Sequence, residues 1–127
     1  MERLQVGVDI IEIARIEASI RRFGDRFRHR VYTSAELSEC GGRGASLAAR
    51  FAAKEAAIKA LGRNEVALYE IEVVRPPGQR PVLRLSGRAA AVAAELGVSD
   101  LALSLSHSQE YAVAMVVLRH DASLGNR

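Results

Sequence analysis

Three side chains in this 127-residue chain combine types and positions that could do chemistry: Asp9, Glu55 and Lys59. Glu55 and Lys59 are spaced i and i+4, so on a helix they lie on one face. Two readings of that pair stand side by side. It is either a surface salt bridge worth about 0.3–0.5 kcal/mol or a charged pair kept for a task. The second draws strength from the neighbours, because ASLAARFAAKEAAIKALG (45–62) is mostly alanine and large apolar residues. A charge on a helix buried on most sides needs a partner or a function. Asp9 closes the apolar run LQVGVDI (4–10), either as a cap for the following helix or as a ligand. Two carboxylates and a lysine on separate buried elements suit magnesium with phosphate. Magnesium takes one or two carboxylates, and water and substrate phosphates complete its shell. A lysine neutralises charge developing on a phosphate oxygen.

Cation usage points to the same helix. Of 18 Lys+Arg, only Lys54 and Lys59 are lysine. Lysine is a compact point charge, whereas arginine is a planar fork. Arg50 and Lys54 form a second i, i+4 pair. Other chemistries lack their signatures. There is no GxxxxGK[ST] loop, no GxGxxG after a strand, no His/Cys zinc spacing and no GxSxG elbow. Cys40, the single cysteine, forms no internal disulfide and reads as a partly buried small residue. His29 and His120 read as surface residues, and Tyr111 as core.

The elements that must position these groups follow from periodicity and punctuation. Leu4–Ile10 is predicted to be a buried strand. A helix follows with Ile13, Ile16 and Ile20 on one face and Gly24 as its end. Thr33 starts a short helix, with Glu36 completing a capping box. Gly41–Gly44 is a loop, 45–62 a helix with Gly62 as its stop, and Tyr69–Arg75 and Val82–Leu85 are strands about the turn at Pro76–Gly78. Ser86 caps an alanine-rich helix ended by Gly97. Leu101–Leu105 and Tyr111–Leu118 are strands joined by the turn SHSQE, and 119–127 is expected to fray. The order strand, helices, two strands, helix, two strands favours a single α+β domain over 1–127, with an antiparallel sheet and packed helices.

Composition is that of a soluble globular domain: 49% hydrophobic and 26% charged. No apolar run reaches the roughly 20 residues of a membrane helix, and the N-terminus makes a poor signal peptide, so a cytoplasmic protein with no membrane partner is expected. The net charge is +3. Residues 21–30, RRFGDRFRHR, nevertheless carry five arginines against one aspartate. That cluster is either a solvated face or a surface for an acidic partner.

Three segments carry a resemblance. GVDIIEIARIE (7–17), RFAAKEAAIKALG (50–62) and SLSHSQEYAVAMVV (104–117) resemble, in order, the motifs of the holo-acyl-carrier-protein synthase family, the short 4'-phosphopantetheinyl transferases. The resemblance covers nearly the whole chain and implies that family's α+β fold. It implies that Asp9 and Glu55 bind magnesium and that Lys59 lies at the diphosphate, all three serving catalysis. Arg50, Lys54, Gly62, Arg63, Ser106 and His107 then fall on the coenzyme A side; coenzyme A is the co-substrate. Arg15, Arg22, Arg26 and Arg28 face an acidic acyl carrier protein. The implied assembly is a homotrimer with active sites between subunits. In the implied reaction the carrier's serine attacks the phosphorus bearing the pantetheine arm and adenosine 3',5'-bisphosphate leaves. Asp9, or a magnesium-bound water that it orients, accepts the proton.

One segment departs from the family, which continues past the lysine helix with a glycine-threonine-glycine turn and a longer loop. Here the chain reads Leu61-Gly62-Arg63-Asn64-Glu65, and Arg63 is the residue placed to supply charge that backbone amides supply elsewhere. Two other functions compete: a nucleic-acid-binding module using the arginine cluster, and a family member that binds coenzyme A without catalysis. Aromatic residues at 5% and the lack of tryptophan weigh against the first, so no nucleic-acid partner is expected.

Overall fold

The computed structural model describes residues 1–122. Its elements are β1 (Glu2–Glu12), α1 (Ile13–Phe23), α2 (Asp25–Val31), α3 (Ser34–Cys40), α4 (Gly44–Leu61), β2 (Ile71–Val74), β3 (Val82–Leu85), α5 (Gly87–Leu96), β4 (Val98–His107) and β5 (Tyr111–Asp121). One sheet has the order β1-β5-β4 and a smaller one pairs β2 with β3. Every pairing is antiparallel, as expected for an α+β domain.

Helix α4 lies against β1 and β5, and its composition explains how. Ala48, Ala52, Ala53 and Ala56 are wholly buried, and without long side chains the helix can press closely on the sheet. Gly7 completes this contact. A Cβ there would strike the Ala56 carbonyl oxygen and stand 2.8 Å from Ala60 N. A glycine inside a strand often marks such a close approach. Alternation along β5 turns Ala112, Ala114, Val116 and Leu118 inward; the last three share a core with α4, Ile71, Val73 and Val92, and Ala112 packs with Ile13, Ile16 and Leu47 in a second.

Helix ends follow their local chemistry. Thr33 and Glu36 form the full capping box of α3, and Gly62 and Gly97 end α4 and α5 in the left-handed conformation. Ser86 occupies the N-cap of α5, but its side chain makes no cap bond. Instead Glu70 Oε2 accepts from Arg88 N at 2.7 Å, a carboxylate from a 3-10 turn at Leu68–Glu70 doing the capping.

Several boundaries differ from expectation. Helix α2 occupies the arginine-rich segment, where charge hides the Phe27–Val31 spacing of its apolar face. β2 begins at Ile71 rather than Tyr69, after the 3-10 turn. β5 continues past Leu118, with Arg119 paired to Leu4 on one side and Asp100 on the other, so 119–121 is sheet and not a frayed tail; 123–127 lie outside the described residues. Tyr111 is 45% exposed and not core, because the alternation that turns Ala112 inward turns Tyr111 out.

Candidate active site

β1 and α4 bring Asp9 and Lys59 into contact. Lys59 Nζ donates to Asp9 Oδ1 at 3.2 Å and to the Val8 carbonyl at 3.0 Å. The lysine therefore pairs across to the strand, and among the described residues it forms no salt bridge with Glu55. Asp9 does not cap α1: the N-cap is Glu12, which makes no side-chain cap bond. The Asp9 side chain is 18% exposed and that of Lys59 55% exposed, so the pair adds only about 0.2–1 kcal/mol to stability. Its placement needs another reason.

Glu55 supplies it. Asp9 and Glu55 line one cavity of about 250 Å³ together with Arg15, Ser19, Phe27 and Phe51. Burial pushes the Glu55 carboxyl above its ordinary value, the Asp9 carboxylate pushes it further, and Lys59 only partly offsets them. The two carboxyl groups therefore share one site, in which Lys59 does not fully offset the burial of Glu55 and the charge of Asp9 beside it. Among the described residues no third histidine, cysteine or acid joins them into a larger ligand cluster. Such a donor set fits magnesium, which is held by one or two carboxylates with substrate phosphates and water.

A second cavity, of about 370 Å³, collects Arg50, Ser106 and His107, three of the residues placed on the coenzyme side by the resemblance. It lies where α4 faces the end of β4, which runs through His107 rather than stopping at Leu105. Sequence reasoning missed Arg43 and Arg75, which line the same cavity. Nothing local marks them, since they come from a loop and a strand end. Glu39 lines the cavity too and accepts from Arg50 at 2.6 Å, so three arginines stand with one carboxylate and a histidine, a net positive lining that suits a phosphorylated, anionic ligand.

Lys54 does not belong to either cavity. It is 0% exposed, and its Nζ donates to Glu36 Oε1 at 2.7 Å, Ile71 O at 2.7 Å and Leu68 O at 3.3 Å. All three donors are spent inside the protein, so the expectation that Lys54 touches coenzyme A is corrected. Burial lowers its affinity for the proton and the Glu36 carboxylate opposes that. Glu36, expected only as a cap, accepts in addition from Val73 N at 2.9 Å; no local pattern signals that second role.

Gly62 lines a third cavity, of about 580 Å³, that opens beside Lys59 and extends to Gln5 and His120. Arg63 turns elsewhere. It pairs with Glu65 and, at 3.3 Å, with Glu95, and Arg88 joins the same two carboxylates. Its charge is matched by acids on the loop and on α5, so the expected role at a diphosphate loses its ground. Arg15 lines the Asp9–Glu55 cavity. Arg22 and Arg26 are exposed on the adjoining α1–α2 surface, and Arg28 pairs with Asp25 at 3.0 Å.

Known proteins share this architecture. The chain is 50% identical over 121 residues to the holo-[acyl-carrier-protein] synthase of Koribacter versatilis, covering 91% of this chain and 97% of that protein. It is 53% identical over 115 residues to the enzyme of the same name from Dehalococcoides mccartyi, covering 90% and 97%. The crystal structure of Helicobacter pylori holo-[acyl-carrier-protein] synthase in complex with coenzyme A superposes with a TM-score of 0.81 at 33% identity, covering 89% of this chain and 98% of that one. A family model described as the 4'-phosphopantetheinyl transferase superfamily matches residues 5–116. With nearly its whole length matched in sequence and fold, the chain belongs to the 4'-phosphopantetheinyl transferase superfamily.

Proposed function

We propose that the protein transfers the 4'-phosphopantetheine arm of coenzyme A to a serine of an apo acyl carrier protein, with adenosine 3',5'-bisphosphate as the leaving product. The observation that carries this reading is the convergence of Asp9, Glu55 and Lys59 beside Arg15, on a chain whose relatives are named for this activity.

Asp9 and Glu55 would hold Mg2+, which when bound neutralises charge on the diphosphate. The exposed ammonium of Lys59, bonded to Asp9, would donate to a diphosphate oxygen beside the carboxylates. The carrier's serine oxygen forms the new bond to phosphorus, and the bond from that phosphorus to the bisphosphate oxygen breaks. The Asp9 carboxylate would accept the serine proton, directly or through a water that it orients. The arginine-lined cavity with Ser106 and His107 suits the anionic nucleotide end of coenzyme A. Arg15, with Arg22 and Arg26 beyond it, forms a basic approach for an acidic carrier.

The reading includes a homotrimer acting in the cytoplasm. What supports self-association is the outer face of the β1-β5-β4 sheet. Val6, Val8 and Ile10 are 57%, 50% and 64% exposed, and Met115 is 47% exposed, with Val8 directly opposite Met115. Apolar residues grouped in this way mark an interface. Copies of this chain are the natural occupant, because the nucleotide cavity lies at the β4 side of α4 and the carboxylates at the β1 side. No helix among the described residues is long and apolar enough to cross a membrane.

The test is incubation with coenzyme A, Mg2+ and an apo carrier, read as the mass gain of the arm. Glu55→Gln should lower turnover at least about a hundredfold while leaving the circular dichroism spectrum unchanged. Tight coenzyme A binding with no transfer across several carriers would instead select the non-catalytic reading.

A further inference from the structure

The lysine at position 54 poses a question that burial sharpens, since arginine is used at every cationic position other than 54 and 59. Around Lys54 Nζ three oxygens converge: one carboxylate oxygen of Glu36 and the carbonyls of Ile71 and Leu68. A compact ammonium with three tetrahedral donors matches that arrangement, and a planar guanidinium does not. Glu36 is equally enclosed, at 0% exposure, and its carboxylate also accepts from Thr33 N and Val73 N. The pair thus ties α3 to α4 and β2 at one dry point.

The other side of α3 faces the nucleotide cavity. Arg50 Nη1 donates to the backbone carbonyl of Glu36 at 3.2 Å, and Nη2 donates to Glu39 Oε2 at 2.6 Å. Arg43 Nη2 donates to the backbone carbonyl of Glu39 at 2.8 Å. Two of the three arginines lining the cavity therefore take their orientation from α3. That helix spans only Ser34–Cys40, too short to hold a position on its own. Beside the packing of Leu37 and Cys40 in the core, the Lys54–Glu36 pair and the Thr33 cap tie it to α4 and β2.

We propose that Lys54 and Glu36 are positioning residues: acting through α3, they aim Arg50 and Arg43 into the cavity that takes the anionic nucleotide end of coenzyme A. This rests on the reading of that cavity given above. Lys54 itself contacts no substrate. A buried ion pair is a weak source of stability, because desolvation offsets most of the attraction. Its retention here is accounted for by geometry: it fixes one orientation of a short helix.

The test is Lys54→Arg, which keeps the charge and loses the fit. Coenzyme A KM should rise about tenfold with kcat within about twofold, and the Kd of adenosine 3',5'-bisphosphate should rise with KM, as expected when an oriented charge-assisted contact is lost. A purely structural role would lower Tm and leave both constants alone. Arg50→Ala is measured in parallel. If it raises KM and Kd while a folded Lys54→Arg protein matches the wild type, the positioning role is overturned and the assignment of the cavity stands. If Arg50→Ala also changes neither constant, the cavity assignment fails and the proposal falls with it. Should Lys54→Arg not fold, Thr33→Ala loosens α3 by removing its cap and the hydroxyl's bond to Glu72 Oε2, and leaves the Lys54–Glu36 pair in place. A threefold rise in KM, on the order of the roughly 1 kcal/mol loss of a cap, supports the proposal, and unchanged constants refute it.

Discussion

Replacing Gly7 with alanine tests how closely the strand carrying Asp9 must approach the helix carrying Glu55 and Lys59. Gly7 is absent from the positive-φ glycines, so the objection to a side chain is space alone. A Cβ would overlap the Ala56 carbonyl oxygen and lie 2.9 Å from its carbon and 2.8 Å from Ala60 N. These are backbone atoms inside a helix and cannot rotate away. β1 and α4 must separate by a distance on the order of 1 Å, which forfeits a quarter to a half of the dispersion attraction at each contact along the seam. Overpacking of this kind costs about 1–3 kcal/mol, and the backbone origin of the clash places the expected loss near the upper end, about 3 kcal/mol. For a domain of this length that is a fall in Tm of roughly 10–15 °C. The site should suffer in addition, because Lys59 reaches Val8 O and Asp9 Oδ1 at 3.0 and 3.2 Å on the residues immediately after Gly7. Thermal melts by circular dichroism and transfer assayed by mass spectrometry, below the mutant's melting range, should show both losses, with turnover down more than about tenfold. A Gly7→Ala protein melting within about 2 °C of the wild type with normal turnover would refute the argument that this seam is set by backbone contact.

The remaining predictions concern charge. Burial and the Asp9 carboxylate raise the Glu55 pKa above its ordinary 4.5. The folded state therefore holds a proton that the unfolded state has released, and stability falls as pH rises from that value through the folded one. Metal-free Glu55→Gln should therefore melt higher than the wild type at neutral pH, and the gap should close below about pH 4.5; a gap that persists at pH 3.5 would contradict this origin. Mg2+ should raise the wild-type Tm at pH 7 and leave that of Glu55→Gln nearly unchanged, which equal shifts in the two proteins would disprove. Charge reversal at Arg22 and Arg26 should raise KM for the carrier severalfold, with kcat little altered, and should flatten its salt dependence. A KM that does not move would remove those arginines from the carrier surface.

Much of the fold was legible because it is local. The Thr33–Glu36 box and the glycine stops at Gly62 and Gly97 each depend on neighbours a few residues apart, whereas Leu4–Ile10, expected as a buried strand, leaves Leu4, Val6, Val8 and Ile10 exposed, because burial depends on what covers the sheet. The spacing of Glu55 and Lys59 likewise placed both on one side of α4. Periodicity specifies which residues share a face, but not what that face meets. Tertiary packing decided that Lys59 bonds to Asp9 and Val8 rather than to Glu55, and that Tyr111 points away from the core. It also separated the two lysines, five positions apart on one helix: Lys59 is exposed at the carboxylates and Lys54 is sealed against Glu36. That difference arises where α4 crosses β1 on one side and α3 with β2 on the other. The amino-acid sequence by itself determined the carboxylates, the lysine and the elements that bear them. Only the folded chain determined which charges meet one another, because burial and through-space charge depend on residues that are distant along the chain.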